Sequence, residues 1–319
     1  MYYFSINGGD NICNIIKCLP IFLIISILLS CSNQSVNSNI ENYSKEDDGT
    51  WGFRTVFSKN ITKTKFKQNN VKVAVLDSGI NKSHPALKGR IVESYNALNP
   101  NEDVIDDYGD LGHGTAIAGI LVAKEIKDGI TGISPTIKLY DVKVLNEEGK
   151  SDVETVVRGI EWCIKKEVDI INISFGFEVN HEELEQIIQK ALNKGIIIVA
   201  SSGNTLGLRV DYPAKYDGVI SVTALKPNLQ RSSISGKGKI EYAAPGINIL
   251  TTDSKGGYSE FKGTSFATAF VSGTIATLIS NTEEKITNKN LKTFLKPYVK
   301  DLGKKGFDEE YGYGLVQIK

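Results

Sequence analysis

Short apolar runs alternate with amphipathic segments along most of the chain, and this pattern predicts its secondary structure. Residues 71–76 are mostly apolar and β-branched, which is typical of a strand buried on both faces. Four later runs are of the same type, and segments with helical spacing of apolar residues lie between them. The predicted strands are 71–76, 136–144, 168–174, 195–200 and 219–223, and the predicted helices are 115–124, 152–166, 182–194, 265–280 and 288–295.

The alternation of strands and helices also predicts the fold class. A strand that returns to the sheet through a helix runs parallel to the one before it, and the helices cover the sheet. We therefore expect an α/β fold, with a doubly wound, mostly parallel sheet and helices on both faces. A chain of 319 residues is long enough to bury one such core.

The N-terminal pattern is different and predicts a targeting segment. Residues 19–29 are apolar except for Pro20 and Ser26, which is too short for a membrane-spanning helix of about 20 apolar residues. The run ends in Leu28-Leu29-Ser30-Cys31, which resembles the lipobox of bacterial lipoproteins. We predict a lipoprotein-type signal peptide over residues 1–30 and lipidation of Cys31. An uncleaved anchor and an ordinary secretory signal are the alternatives.

The predicted segments place the protein outside the cell. The stretch 31–50 is polar and predicts a tether, followed by a folded domain over residues 51–319. We expect a lipid anchor on the outer face of a bacterial cytoplasmic membrane, with secretion as the alternative.

Cys13 and Cys18 precede the predicted cleavage point, so Cys163 is left without a disulfide partner. Its helical setting predicts a buried thiol.

Charge excludes some partners. Lys and Arg together number 37, as do Asp and Glu, so no basic excess favours nucleic acid as a partner. Nothing in the composition requires more than a monomer.

Three polar residues stand where strands end or helices begin. Asp77 follows the strand 71–76, His113 lies between two glycines, and Ser265 opens a helix after Gly263-Thr264. Each alone has a plainer interpretation, as a turn residue, a metal ligand or a helix cap. A serine hydroxyl becomes nucleophilic when a base takes its proton, and imidazole, with an ordinary pKa of about 6.5, suits that task. An aspartate can orient the imidazole.

In their order and local motifs, these residues resemble the subtilisin family of serine peptidases, from about Trp51 to Val316. The resemblance implies a serine endopeptidase with Asp77, His113 and Ser265 as its catalytic triad. Ala200-Ser201-Ser202-Gly203-Asn204 matches the family's oxyanion segment, which implies that Asn204 stabilises the oxyanion. It also implies an extended peptide or protein substrate, paired with segments that contain Ser151, Ser174 and Gly176.

Asp211 suggests a substrate preference. In the family, the residue before the Tyr-Pro-Ala motif lies at the base of the pocket for P1, the substrate residue before the cleaved bond. Asp211 stands there, ahead of Tyr212, and a buried carboxylate would favour Lys or Arg at P1. Alternatively, Asp211 pairs with Arg209 or Lys215, or faces solvent.

Some family positions differ. Ala116 replaces a histidine and Ala269-Phe270 replace Pro-His, at positions that support the catalytic helices. Ala86 and Ile126 stand where the tight calcium site of the family has oxygen ligands, and calcium needs about six to eight. We therefore predict no certain metal or cofactor, with calcium at most an option. The acidic stretch 102–110 is interpreted as a solvated loop, or else as a cation chelator.

Two other classes of protein are alternatives to an active peptidase. A catalytically inactive scaffold could present the same cleft to a partner. An α/β-hydrolase would need Gly-x-Ser-x-Gly and the order Ser, Asp, His, and the chain has neither. The function predicted is peptide-bond hydrolysis, with maturation of a secreted peptide or protein as a candidate role.

Overall fold

The computed structural model of the chain describes residues 49–58, 70–103 and 112–319. The predicted signal peptide, Cys31 and most of the predicted tether lie outside these residues. Gly49 and Thr50, the last two tether positions, are buried, and Leu250 donates a backbone hydrogen bond to Gly49.

The described residues form eleven strands and six α-helices. The strands are β1 (Lys72–Asp77), β2 (Ile91–Asn96), β3 (Lys138–Lys143), β4 (Ile170–Ile173), β5 (Ile197–Ser201), β6 (Ile220–Leu225), β7 (Tyr242–Pro245), β8 (Ile249–Thr252), β9 (Tyr258–Phe261), β10 (Val299–Lys300) and β11 (Leu315–Val316). The helices are α1 (Trp51–Val56), α2 (His113–Val122), α3 (Val153–Lys166), α4 (Glu182–Asn193), α5 (Thr264–Ser280) and α6 (Leu291–Leu295), with a 3₁₀ turn over Lys296–Tyr298.

Nine of these strands form one sheet in the order β10-β11-β7-β6-β5-β4-β1-β3-β2. All neighbouring pairs are parallel except β10 with β11. β8 and β9 pair separately as an antiparallel hairpin. Helices pack on both faces, so the predicted α/β fold with a mostly parallel sheet is confirmed.

The alternation of side chains along each strand divides the core in two. Val73 and Val75 of β1 belong to the apolar cluster that contains α2 and α5. Ala74 and Leu76 belong to the cluster that contains α3 and α4. Because successive strand residues point to opposite faces and both faces are covered, the central strands are mostly apolar on both sides.

The helices on the two faces differ in pattern. α3 and α4 are amphipathic and bury one side, whereas α5 is buried from Thr264 to Leu278. α5 contacts β4, β5, β6 and β7 as well as α2, which leaves it no solvent face over that length. This central position fixes the start of α5 relative to the ends of several strands.

Two further findings concern Cys163 and membrane spans. Cys163 is fully buried on α3, as predicted; it forms no disulfide within the described residues, and burial raises the pKa of its thiol. In residues 49–58, 70–103 and 112–319, no helix combines the length and apolarity needed to cross a membrane.

Candidate active site

Asp77 is the last residue of β1 and is fully buried. Its Oδ1 accepts a hydrogen bond from the backbone N–H of Ser78 at 2.8 Å. The Nδ1 atom of His113 lies 2.8 Å from the same oxygen. With the proton on Nδ1, His113 donates to Asp77 and its Nε2 is left as a base.

Two glycines allow α2 to begin against the end of β1. Gly112 has a φ of 50°, in the left-handed region that favours glycine. Gly114 packs so closely that a Cβ there would overlap the carbonyl oxygen of Gly79. Its N–H donates to Ser78 Oγ at 3.1 Å. The first turn of α2 is thus fixed on the turn after Asp77, which orients His113.

Ser265 is the second residue of α5 and is 8% exposed. Its hydroxyl donates to the carbonyl oxygen of Ser174, directly after β4, at 2.7 Å. The ring centroid of the next residue, Phe266, lies 5.5 Å from that of His113. β1 and β4 are neighbours in the sheet, so the structure brings Asp77, His113 and Ser265 to one end of the sheet.

Asn204 lies just after β5, and its side-chain amide is fixed by the start of α5. Its Oδ1 accepts hydrogen bonds from both the backbone N–H and the hydroxyl of Thr264, each at 3.1 Å. With Oδ1 engaged, Nδ2 is the group left to donate. A Cβ at Gly263 would lie 3.2 Å from that nitrogen. Asn204 Nδ2 therefore lies beside the helix start that carries Ser265.

The start of α5 adds a favourable field to this corner. The first N–H groups of a helix have no acceptors within the helix, and the helix dipole is positive at that end. Ser265 and Asn204 therefore provide two donors, a backbone N–H and an amide, near one hydroxyl. Such a set can stabilise negative charge that forms on a substrate oxygen bonded to a carbon attacked by Ser265.

Asp211 lies in a crevice between two glycines. A Cβ at Gly203 would overlap its Oδ2, and a Cβ at Gly176 would lie 2.7 Å from its Cβ. Its Oδ1 accepts a hydrogen bond from Arg209 Nε at 3.2 Å, and Arg209 also pairs with Glu178 at 3.1 Å. Burial raises the pKa of Asp211, and the charge of Arg209 opposes that rise. Of the interpretations open from the sequence, the structure shows pairing with Arg209.

The other predicted substrate residues lie beside this crevice or near the carboxyl end of β3. Ser174 and Gly176 follow β4, and the Ser174 hydroxyl accepts from Asn172 at 2.8 Å. Ser151 lies before α3, and its hydroxyl donates to the carbonyl oxygen of Val144, just after β3, at 2.6 Å. Both segments lie outside the strands of the sheet.

The segments of the family's calcium site are apolar at the two altered positions. Ala86 and Ile126 are each 5% exposed, and the carbonyl oxygen of Ala86 already accepts from the N–H of Lys124. Across residues 49–58, 70–103 and 112–319, no three His, Cys, Asp or Glu side chains gather as metal ligands. These residues do not fit the family's tight calcium site, and no step of the chemistry is assigned to calcium.

Sequence reasoning missed three residues near the site. Thr264 holds the Asn204 amide, Glu178 pairs with Arg209, and Asp141 is a buried carboxylate one strand from β1. A threonine next to the predicted nucleophile was the only available signal for Thr264. No local pattern distinguishes Glu178 from other surface acids or Asp141 from an ordinary strand residue.

Comparison with known proteins identifies the class to which this fold and site belong. A model described as the subtilase family matches residues 68–314, and the chain belongs to that family. It is 36% identical over 271 residues to the minor extracellular protease Epr of Bacillus subtilis (strain 168), covering 84% of this chain. It is 36% identical over 258 residues to subtilisin E of the same strain, covering 79% of this chain. It is 32% identical over 277 residues to subtilisin DY of Bacillus licheniformis, covering 84% of this chain.

The relatives differ in how much of their own length is matched. The chain spans 41% of Epr, 65% of subtilisin E and 97% of subtilisin DY. The shared part is the region that contains Asp77, His113, Asn204 and Ser265, since the family model covers all four positions.

Proposed function

We propose that this chain is a serine endopeptidase in which Asp77, His113 and Ser265 form the catalytic triad and Asn204 stabilises the oxyanion. The observation that carries the proposal is the 2.8 Å contact between His113 Nδ1 and the fully buried Asp77, at the sheet end where Ser265 begins its helix. Membership in the subtilase family and similarity to named proteases support it.

The reaction follows from the positions of these groups. The hydroxyl of Ser265 turns from the Ser174 carbonyl towards His113 Nε2, which takes its proton as Oγ bonds to the substrate carbonyl carbon. Asn204 Nδ2 and the Ser265 N–H bind the resulting oxyanion. His113 then gives the proton to the leaving amine, and water hydrolyses the acyl-enzyme by the same route in reverse.

The substrate is proposed to be a peptide or protein in extended conformation. The segments 150–152 and 174–176 lie outside the strands, at the same end of the sheet as the reacting groups. A peptide between them would use backbone hydrogen bonds for affinity and side-chain pockets for specificity. Ser151, Ser174 and Gly176 are assigned to this binding.

Asp211 is proposed to favour Lys or Arg at P1. Its side chain is 16% exposed and lies behind Gly176, which follows Phe175, and Gly203, which precedes Asn204. A partly buried carboxylate gains most from a cation that fits the same crevice. Arg209 already pairs with Asp211, which limits this preference.

The place and role of the enzyme are proposed from the N-terminal segment. A monomer anchored through a lipid on Cys31 would act outside the cell, where it could mature a secreted peptide or protein. Cys31→Ser should move the protein from the membrane fraction to the medium. Metabolic labelling with radioactive palmitate measures lipidation, and Cys31→Ser should not be labelled. Equal labelling of parent and variant would exclude lipidation at Cys31.

The activity itself is tested with a mixed-sequence peptide library. The full chain, its Ser265→Ala variant and a Ser280→Ala control from the other end of α5 are compared at equal concentration. We expect cleavage by the parent and the control and none by Ser265→Ala. The residues at the cut sites report the P1 preference. A folded parent that cuts nothing would favour the inactive scaffold, and cleavage by Ser265→Ala would exclude Ser265 as the nucleophile.

A further inference from the structure

Arg209 is hydrogen-bonded to Asp211, the carboxylate that a basic P1 side chain of the substrate would contact. Its Nε donates to Asp211 Oδ1 at 3.2 Å, while a terminal nitrogen of the same guanidinium lies 3.1 Å from Glu178 Oε1. The three charges form a chain across the crevice next to Gly176 and Gly203. A cation is therefore present at Asp211 before any substrate arrives.

The backbone of Arg209 is fixed, so only its side chain can move. Thr205 Oγ1 donates to the carbonyl oxygen of Arg209 at 2.5 Å and accepts from its N–H at 3.3 Å. A Cβ at Gly236 would overlap that carbonyl oxygen. The Arg209 side chain, in contrast, is 37% exposed and ends near solvent. This combination allows the guanidinium to leave Asp211 without a change in the loop.

Glu178 offers the departing guanidinium a second acceptor. The Glu178 side chain is 70% exposed, so its pair with Arg209 is a surface pair of low strength, whereas Asp211 is 16% exposed. The Arg209–Asp211 contact uses one nitrogen and one oxygen and is not bidentate. Among the described residues no group donates to Asp211 Oδ2, which faces Gly203.

We propose that Arg209 is a specificity-determining residue, a tethered competitor that neutralises Asp211 and must yield to a Lys or Arg side chain at P1. Glu178 assists by holding the displaced guanidinium. The inference rests on the proposed function, because it concerns how that enzyme selects its substrate. It assigns the strength of the basic preference to Arg209 and Glu178 in addition to Asp211.

The first experiment compares two peptides that differ only in Arg or Leu at P1. The ratio of their kcat/KM values is measured for the full-length parent, Arg209→Gln, Glu178→Gln and the double variant. Arg209→Gln should raise the Arg-to-Leu ratio by about 10-fold, because it leaves a partly buried carboxylate without its cation. Glu178→Gln should lower the ratio by about 2-fold, because Arg209 then stays on Asp211.

The double variant separates an indirect effect of Glu178 from a direct one. If Glu178 acts through Arg209, Glu178→Gln should change nothing once Arg209 is Gln. Arg54→Gln is the matched control, since it removes the same charge from α1, which packs on β7, two strands from β5. An unchanged or lower ratio in Arg209→Gln would overturn the proposal, as would an equal effect of Arg54→Gln.

A second measurement does not depend on catalysis. Benzamidine, a rigid mimic of the arginine head group, is titrated into the full-length Ser265→Ala protein with and without Arg209→Gln. We expect about 10-fold tighter binding with Arg209→Gln and loss of that gain when Asp211→Asn is added. If the parent cleaves neither peptide, the proposed function fails. The titration then still shows whether Arg209 competes with a cation for Asp211. Equal benzamidine affinity in both proteins would refute the role of Arg209.

Discussion

Two fully buried aspartates on neighbouring strands have opposite surroundings. Asp77 ends β1, where a backbone N–H and the imidazole of His113 contact its Oδ1. Asp141 lies inside β3, opposite Val75, and neither of its oxygens has a well-aligned hydrogen bond among the described residues, although the Ser94 hydroxyl and the Ile80 N–H lie close enough to lower its pKa. The first carboxylate contacts the imidazole of the proposed triad, and the second lies near Ser94 and two lysines and contacts no group of the proposed reaction.

The difference shows that burial alone makes the charged form of a carboxylate less stable but does not give the carboxylate a role in a reaction. Burial raises the pKa of Asp141 to about 7, although the charges of Lys82 and Lys143 and the nearby Ser94 hydroxyl and Ile80 N–H oppose the rise. Lys143 itself donates to the carbonyl oxygen of Ser78 and so supports the turn after Asp77. The end of β1 has an imidazole as its partner because a helix begins there, whereas Asp141, in the middle of β3, lies near the segment after β1 and has no such partner.

The largest expected effect comes from Asp77→Asn. An asparagine can present an N–H to His113 Nδ1, which favours the wrong tautomer and leaves Nε2 protonated. We expect kcat to fall by about 10⁴-fold. The unfolding temperature should change little, because the substitution keeps the shape of the side chain. Peptide cleavage and a thermal melt on the same sample are the measurements.

Asp141→Asn is the matched control for that experiment, since it makes the same change at an equally buried site. It should leave kcat near the parent value, because Asp141 contacts none of the reacting groups. A loss of activity in Asp141→Asn comparable to that in Asp77→Asn would contradict the distinction between the two regions.

The next effect in size is expected for Asn204→Ala. Without Nδ2 the oxyanion keeps only backbone donors, and kcat should fall by about 10²–10³-fold, the size this donor has in a subtilisin. KM should change little, since the lost hydrogen bond forms in the transition state. Steady-state kinetics with one peptide measures both constants. Asn281→Ala, at the other end of α5, is the control, and a mainly raised KM in Asn204→Ala would instead indicate a role in substrate binding.

Asp141→Asn should act on stability and not on rate. Because the folded protein holds a proton on Asp141 that the unfolded chain loses near pH 4, the parent loses stability as pH rises from about 4 to about 7. The variant avoids that loss, so its free energy of unfolding should exceed that of the parent by at most about 4 kcal/mol above pH 7. The gain should shrink towards pH 4. Urea unfolding at several pH values measures it, and a gain that does not vary with pH would show that Asp141 is not the titrating group.

The fold was largely predictable because its central strands are mostly apolar and its outer helices are amphipathic. The five strands predicted from the sequence correspond to β1, β3, β4, β5 and β6. β2 was missed because it is an edge strand whose Glu93 is exposed, so its pattern is only partly apolar. α2 begins at His113, two residues before the predicted start, because packing of Gly114 on Gly79 overrides the low helix propensity of glycine.

The residues of the site were easier to predict than their partners. Asp77, His113 and Ser265 stand at strand ends and helix starts, which local sequence can locate. The partner of Asp211 was open between Arg209 and Lys215, and in the structure Lys215 lies over the Tyr212 ring, 5.3 Å from its centroid. The surroundings of Asp141 were not predictable, because they depend on which groups the neighbouring strands and the segment after β1 bring together.

The smallest expected effect concerns a third aspartate, Asp152, which is exposed and caps a helix. It is the N-cap of α3, and its Oδ1 accepts from the Thr155 N–H at 2.7 Å. Asp152→Ala should lower the free energy of unfolding by about 1 kcal/mol, measured by urea unfolding at pH 7. Asp152→Ser should lose only a few tenths, since serine keeps a capping oxygen. Equal losses in both variants would mean that the cap is not the cause.

The pH dependence of this cap should be opposite in sign to that of Asp141. The hydrogen bond from Thr155 lowers the pKa of Asp152, so its stabilisation is present above the usual range of an aspartate and is lost as pH falls through the lowered value. The difference between parent and Asp152→Ala should therefore shrink in acid, whereas the gain from Asp141→Asn grows between about pH 4 and pH 7. Because Asp152→Ser does not titrate at this position, its stability relative to Asp152→Ala should stay constant with pH. A partner that donates to a carboxylate thus stabilises its charged form even at the surface, and burial that outweighs the donors does the reverse.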